Sequence, residues 1–130
     1  MNSTIRLVGA GLLAVVVAVV ATTAAAALAL AAGVDFEIPD GGEAIPLAGF
    51  ATVTGFFSAV GVVIAVAFRR WSARPAELFV WTAVSLTAIS LIPPLISGAA
   101  TTTAVTLVGL HLVPAAVMIP SLARSLRAVR

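Results

Sequence analysis

Four long apolar stretches dominate this chain: about residues 7–32, 46–68, 76–97 and 102–123, with Glu77 the one charged residue inside their bounds. A hydrocarbon core about 30 Å thick takes roughly 20 apolar helical residues to cross. Backbone groups facing lipid must be satisfied within the segment, which helices achieve and open sheets do not. Each stretch is therefore read as a membrane-crossing helix. The fold class expected is all-α, a transmembrane four-helix bundle forming one membrane domain over residues 1–130. Composition agrees, with 62% of residues hydrophobic and 9% charged, against roughly 25% charged in soluble domains.

The boundaries have local causes. Asp40-Gly41-Gly42 breaks the chain ahead of Pro46, which suits a first helical position because its missing N–H has no partner to lose there. Arg74-Pro75 separates the second and third stretches, since a residue before proline avoids the helical region. Ser97-Gly98 can end the third stretch, and Thr101 to Thr103 offer capping hydroxyls for the fourth. The loop between these two is short enough to make them an antiparallel hairpin.

Charge placement gives an orientation. All seven basic residues are arginines: Arg6 before the first stretch, Arg69, Arg70 and Arg74 in the inner loop 69–75, and Arg124, Arg127 and Arg130 after the fourth. With four crossings these fall on one side, joined by Glu77 for a net +6, while Asp35, Glu37, Asp40 and Glu43 in the outer loop 33–45 give −4; together they make the chain's +2. Arginine retention on one face marks the cytoplasmic side. Both termini are expected there, in a multi-pass plasma-membrane protein, and Trp71 and Trp81 fall at that interface. The competing reading is that AAAALALAA at 24–32 ends a cleaved signal. A signal core spans about 7–15 residues, shorter than the uncharged run from Leu7, and a retained helix is preferred.

Small residues recur every fourth position at Ala10, Ala14, Ala18, Thr22 and Ala26, and again at Ala51, Gly55 and Ala59, with Gly61 and Ala65. Such stripes let backbones approach closely in lipid, although alanine-rich helices also generate them by chance.

The only histidine, His111, lies in LVGLHLVPAAVMIP at 107–120, roughly 18 Å above Ala123 at 1.5 Å per residue. Charge is costly at that depth, so a neutral imidazole is expected. Its partners are expected from neighbouring helices, at Thr87, Ser90 or Ser58, with Ser85 also near. Pro114 leaves the Leu110 carbonyl without an amide. His111 reads as polar glue within the bundle, as a proton relay or polar-substrate contact, or as a cofactor ligand. One histidine per chain cannot give two axial ligands to a haem without a symmetric dimer. Pro93 and Pro94 free the carbonyls of Ile89 and Ser90 and kink the third stretch. The kink either eases the following turn or opens an outward crevice beside the fourth.

Glu77, three residues after Arg74, reads as a helix-start charge with an arginine contact. The acids of VDFEIPDGGEAIP are oxygen ligands in principle but lack a calcium-loop spacing; a solvated loop is expected, with Phe36 and Ile38 dipping into the headgroup layer.

Several functions are disfavoured. Without cysteine there is no disulfide, thiolate site or thiol nucleophile. There is no Gly-x-Ser-x-Gly elbow, and no acid within the spans to pair with His111. No enzyme activity, metal or cofactor is expected, and no nucleic-acid partner, because the arginines sit at membrane edges. Small four-helix multidrug exporters are similar in length but carry a buried glutamate in the first helix, which this chain lacks. The acidic loop leading into Ile-Pro and HLVPAAVMIPSLARSL at 111–126 resemble a family of small four-helix membrane proteins from actinobacteria, catalogued as a domain of unknown function. That resemblance implies a four-span bundle in the plasma membrane and no activity. The expected role is structural or accessory, through lipid and a homo-oligomeric or membrane-protein partner. The alternative is a small transporter or proton-linked module using His111.

Overall fold

A computed structural model describes residues 2–39 and 44–128. The chain forms α1 (Ser3–Ala31), α2 (Leu47–Trp71), α3 (Pro75–Ser90), α4 (Ile92–Ile96) and α5 (Thr101–Ala128). Four helical segments, with α3 and α4 counted as one, are long and apolar enough to cross a membrane. The helices overrun the apolar stretches by about a turn at several ends.

Their ends follow from local chemistry. Asn2 caps α1, its Oδ1 accepting the Thr4 N–H at 2.7 Å. At the other end Gly33, at φ 101°, closes a Schellman turn: its N–H reaches the Leu30 carbonyl at 3.0 Å and Val34 N–H the Ala29 carbonyl at 3.0 Å. Pro46 takes the cap of α2 instead of the first helical position, with extended backbone at ψ 157°, and Gly49 N–H closes on its carbonyl at 2.9 Å. Pro75 opens α3 with Glu77 in its first turn, and Glu77 lies 3.6 Å from Arg74, as read. Both side chains are exposed, so the pair adds little stability.

The bundle is inverted relative to a soluble protein. Large apolar side chains such as Leu13, Val20, Phe56 and Ile89 point outward, with Leu28 as much as 72% exposed. An apolar skin this extensive suits lipid and not water. The interior of α1 is a stripe of Leu7, Gly11, Ala14, Ala18, Thr22 and Ala26. The expected small-residue stripe is therefore present, except that Ala10 is exposed and Gly11 takes its place. On α2 the buried face is Phe50, Thr54, Ser58, Val62 and Ala65, so only Ala65 of the expected set is buried. Gly61 borders open space, and a Cβ at Gly55 would meet Val19 at an ordinary 3.5 Å. Close approach falls at Gly11, where a Cβ would lie 2.9 Å from a Val62 methyl. The larger residues of α2 pack into the groove that the small residues of α1 leave.

Two apolar clusters stack along the bundle. One gathers Leu7, Ala65, Phe79, Leu122 and Leu126, and so brings the start of α1, the ends of α2 and α5 and the start of α3 to one end. The described arginines share that end, where Arg69 hydrogen-bonds the Ser3 hydroxyl and Arg70 stacks 5.7 Å over Trp71. The other cluster gathers Ala26, Phe36, Phe50, Leu107 and Leu110. Phe36 is fully buried there, edge-on to Phe50 with centroids 4.9 Å apart, and does not dip into headgroups. It plugs the bundle end in a left-handed conformation at φ 55°. Such strain costs on the order of 1–3 kcal/mol, which burial of about 1.5–3 kcal/mol for a phenylalanine offsets.

Candidate functional site

Helix α1 packs along both α2 and α5, and α3 packs on α5, whereas α2 and α3 meet sparingly. Joined at the arginine end through residues 72–74, α2 and α3 leave between them a cavity of about 580 Å³ floored by α5 and touched by Thr22 of α1. Phe79 and Met118 belong to both the cavity wall and the arginine-end cluster, while Phe50 and Leu107 belong to the wall and the opposite cluster. The cavity thus spans the middle of the bundle. Its flank is formed by side chains such as Val53, Phe57 and Leu86, which are otherwise exposed to lipid.

His111, Thr87, Ser90 and Ser58 line this cavity together with Pro93, Pro94 and Pro114. Ser85 is exposed and does not. The hydrogen bonding differs from expectation. His111 Nδ1 lies 2.6 Å from the Leu107 carbonyl in its own helix, not against a neighbouring helix. Thr87 Oγ1 donates to the Ala83 carbonyl at 2.7 Å and Ser90 Oγ to the Thr87 carbonyl at 2.6 Å. Each polar side chain reaches back one turn, because that carbonyl is in place as soon as the helix forms. The sequence pointed to the Leu110 carbonyl freed by Pro114 as the backbone acceptor beside His111, and the imidazole takes that of Leu107 instead.

A carbonyl only accepts, so Nδ1 carries the hydrogen in the bond to Leu107. In neutral imidazole this leaves Nε2 as an acceptor. Pro114 lies within the continuous α5, and the carbonyl it leaves without an amide, Leu110, is not the one His111 uses. The third span breaks just ahead of Pro93 and Pro94: α3 stops at Ser90, Leu91 N–H turns back to the Ala88 carbonyl at 3.2 Å, and α4 restarts at Ile92. Both prolines then face the cavity.

Sequence reasoning missed the polar wall members Thr22, Thr54 and Ser97. Thr54 lies one turn from Ser58 on the same face of α2, and Thr22 lies opposite on α1. The four-residue spacing of Thr54 and Ser58 was the available signal. Thr22 Oγ1 is buried without a hydrogen-bond partner among the described residues.

The outer loop is organised and not merely solvated. Asp35 Oδ1 accepts from Glu37 N–H at 3.0 Å and from the buried Thr103 hydroxyl at 3.0 Å. These bonds, the Glu37 amide first and Thr103 second, hold the Asp35 carboxyl below its ordinary value. Ile45 N–H bonds the Phe36 carbonyl at 3.1 Å, pinning the loop's return. Asp40, Glu43 and Arg130 lie outside the described residues. Among those described, no group of three His, Asp or Glu is placed to hold a metal.

The chain matches the model of a family described as a family of unknown function (DUF6069) over residues 2–128. The chain belongs to that family. The DUF6069 match spans the whole cavity wall and the Asp35–Thr103 clasp. No curated protein and no solved structure matches the chain.

Proposed function

We propose that this DUF6069 chain is a small accessory protein of the plasma membrane that binds a hydrophobic guest in the cleft between α2 and α3. The observation that carries this reading is the cavity of about 580 Å³ lined almost wholly by apolar side chains with a few hydroxyls and one imidazole. Sites for small molecules are commonly 300–1,000 Å³, mostly apolar, with few placed polar groups. Binding fits better than catalysis, because among the described residues His111 has no carboxylate or second base beside it in the wall. Proton-linked transport through His111 would call for a relay of titratable groups across the bundle, and among the described residues His111 is the only titratable side chain in the wall. Arginine placement supports an orientation with both termini cytoplasmic. An oligomer or membrane-protein partner would engage the outward apolar faces.

Native mass spectrometry of the full-length chain, released from mild detergent, tests the reading. We expect a retained apolar molecule that is lost when Leu86→Trp fills the cleft, with helical content unchanged. A bare chain, or an adduct indifferent to Leu86→Trp, would overturn guest binding at this site. Proton flux in liposomes that His111→Leu abolishes would favour the transport reading instead.

A further inference from the structure

We propose, building on guest binding in the cleft, that its ligand is a neutral membrane-dissolved alcohol or phenol whose hydroxyl donates a hydrogen bond to Nε2 of His111. The argument is one of hydrogen-bond direction. His111 commits its Nδ1 hydrogen to the Leu107 carbonyl at 2.6 Å, and among the described residues no donor reaches Nε2. The imidazole is only half-buried and borders the cavity, so Nε2 is open to a guest. Thr87 and Ser90 have each spent their single hydroxyl hydrogen on a backbone carbonyl. Toward the cavity they too present only lone pairs.

The polar surface on the α3–α5 side of the cleft is thus a set of acceptors, and the group that sits against it must bring the hydrogen. A ketone, ester or ether seated at the same place would set a second acceptor against Nε2 and leave the imidazole unpaired, which is costly away from water. Charged headgroups fit no better: among the described residues no Arg, Asp or Glu lines the cavity, and an ion without a partner is strongly disfavoured in such surroundings. The apolar remainder of the wall takes the body of the molecule. Ser58 and Thr54 on the opposite helix make no side-chain bond among the described residues, and can turn to accept from or donate to the same hydroxyl.

The test uses a long-chain isoprenoid alcohol bearing a terminal diazirine, and its methyl ether, each photolysed with the full-length chain in lipid nanodiscs. Labelled residues are mapped by mass spectrometry. The alcohol should label cleft residues and be displaced by unlabelled alcohol, with the ether binding on the order of tenfold more weakly. His111→Leu should erase that preference. Should this variant fail to fold, the comparison of alcohol with ether on the wild-type chain decides alone. Equal labelling of the cleft by both probes would overturn the hydroxyl assignment and leave guest binding standing. Labelling by neither would overturn both.

Discussion

At the scale of single residues, two positions carry consequences out of proportion to their size. Gly11 lets α1 and α2 approach, since a Cβ there would sit 2.9 and 3.0 Å from the two Val62 methyls and 3.3 Å from Leu122. Gly11→Ala gains helix propensity of about 0.8–1.0 kcal/mol but overpacks a stiff β-branched neighbour, which typically costs about 1–3 kcal/mol. The net expected is a loss on the order of 1 kcal/mol, read as a lower Tm in detergent. Adding Val62→Ala removes the two closest contacts, so the double variant should be less destabilised than the sum of the singles. Strict additivity would mean that the helices do not meet at this point.

Asp35 is the second such position. Its carboxylate is held below its ordinary value by the Glu37 amide and the Thr103 hydroxyl. A depressed folded-state value means that the ionised form adds stability above the unfolded-state value, and that this is lost as pH falls through the folded one. Tm of the wild type should therefore decline on acidification below the ordinary carboxylate range. Asp35→Asn should be less stable than wild type near neutrality and should converge with it at low pH. A gap that stays constant with pH would remove the carboxylate from the account.

Among the elements, the break in the third span shapes the cleft. Pro93 and Pro94 cannot donate to the carbonyls of Ile89 and Ser90, and a proline within a helix costs about 3 kcal/mol or more. Pro93→Ala with Pro94→Ala restores both amides. Helix α3 is then expected to run on through Leu91, with slower hydrogen exchange across residues 91–96 and weaker capture of a guest in the cleft. Unchanged exchange would assign the break to tertiary packing and not to the prolines. α5, by contrast, passes Pro114 and Pro120 without interruption. Its neighbours hold it on both sides, α1 along one flank and α3 along the other, whereas the proline segment of the third span sits at the cleft's edge.

For the whole molecule, the absence of cysteine makes orientation directly measurable. Ala73→Cys lies in the arginine-end loop and Ala100→Cys in the opposite turn, and both positions are exposed. A membrane-impermeant maleimide added to intact cells should label Ala100→Cys, and should reach Ala73→Cys only after the membrane is opened. The reverse pattern would invert the bundle and, with it, the side from which the loop closed by Phe36 faces the medium.

Apolar run length fixed the helix number and class, because lipid leaves a chain of this composition one way to satisfy its backbone. Arginine spacing indicated which helix ends lie together, and the double proline marked where the third span breaks. His111, Thr87, Ser90 and Ser58 were legible as one group because counting residues along antiparallel helices measures depth. Only the tertiary structure decided the rest. It selected Gly11 as the point of close approach, since which of many small residues faces a neighbour depends on helix rotation, and alanine-rich stripes specify rotation weakly. It buried Phe36 beneath the outer loop, because a strained backbone persists only where packing offsets it. It turned His111 onto Leu107, and it opened α2 from α3 to make the cleft, since whether two apolar faces close on each other or on lipid is settled by shape rather than by hydrophobicity.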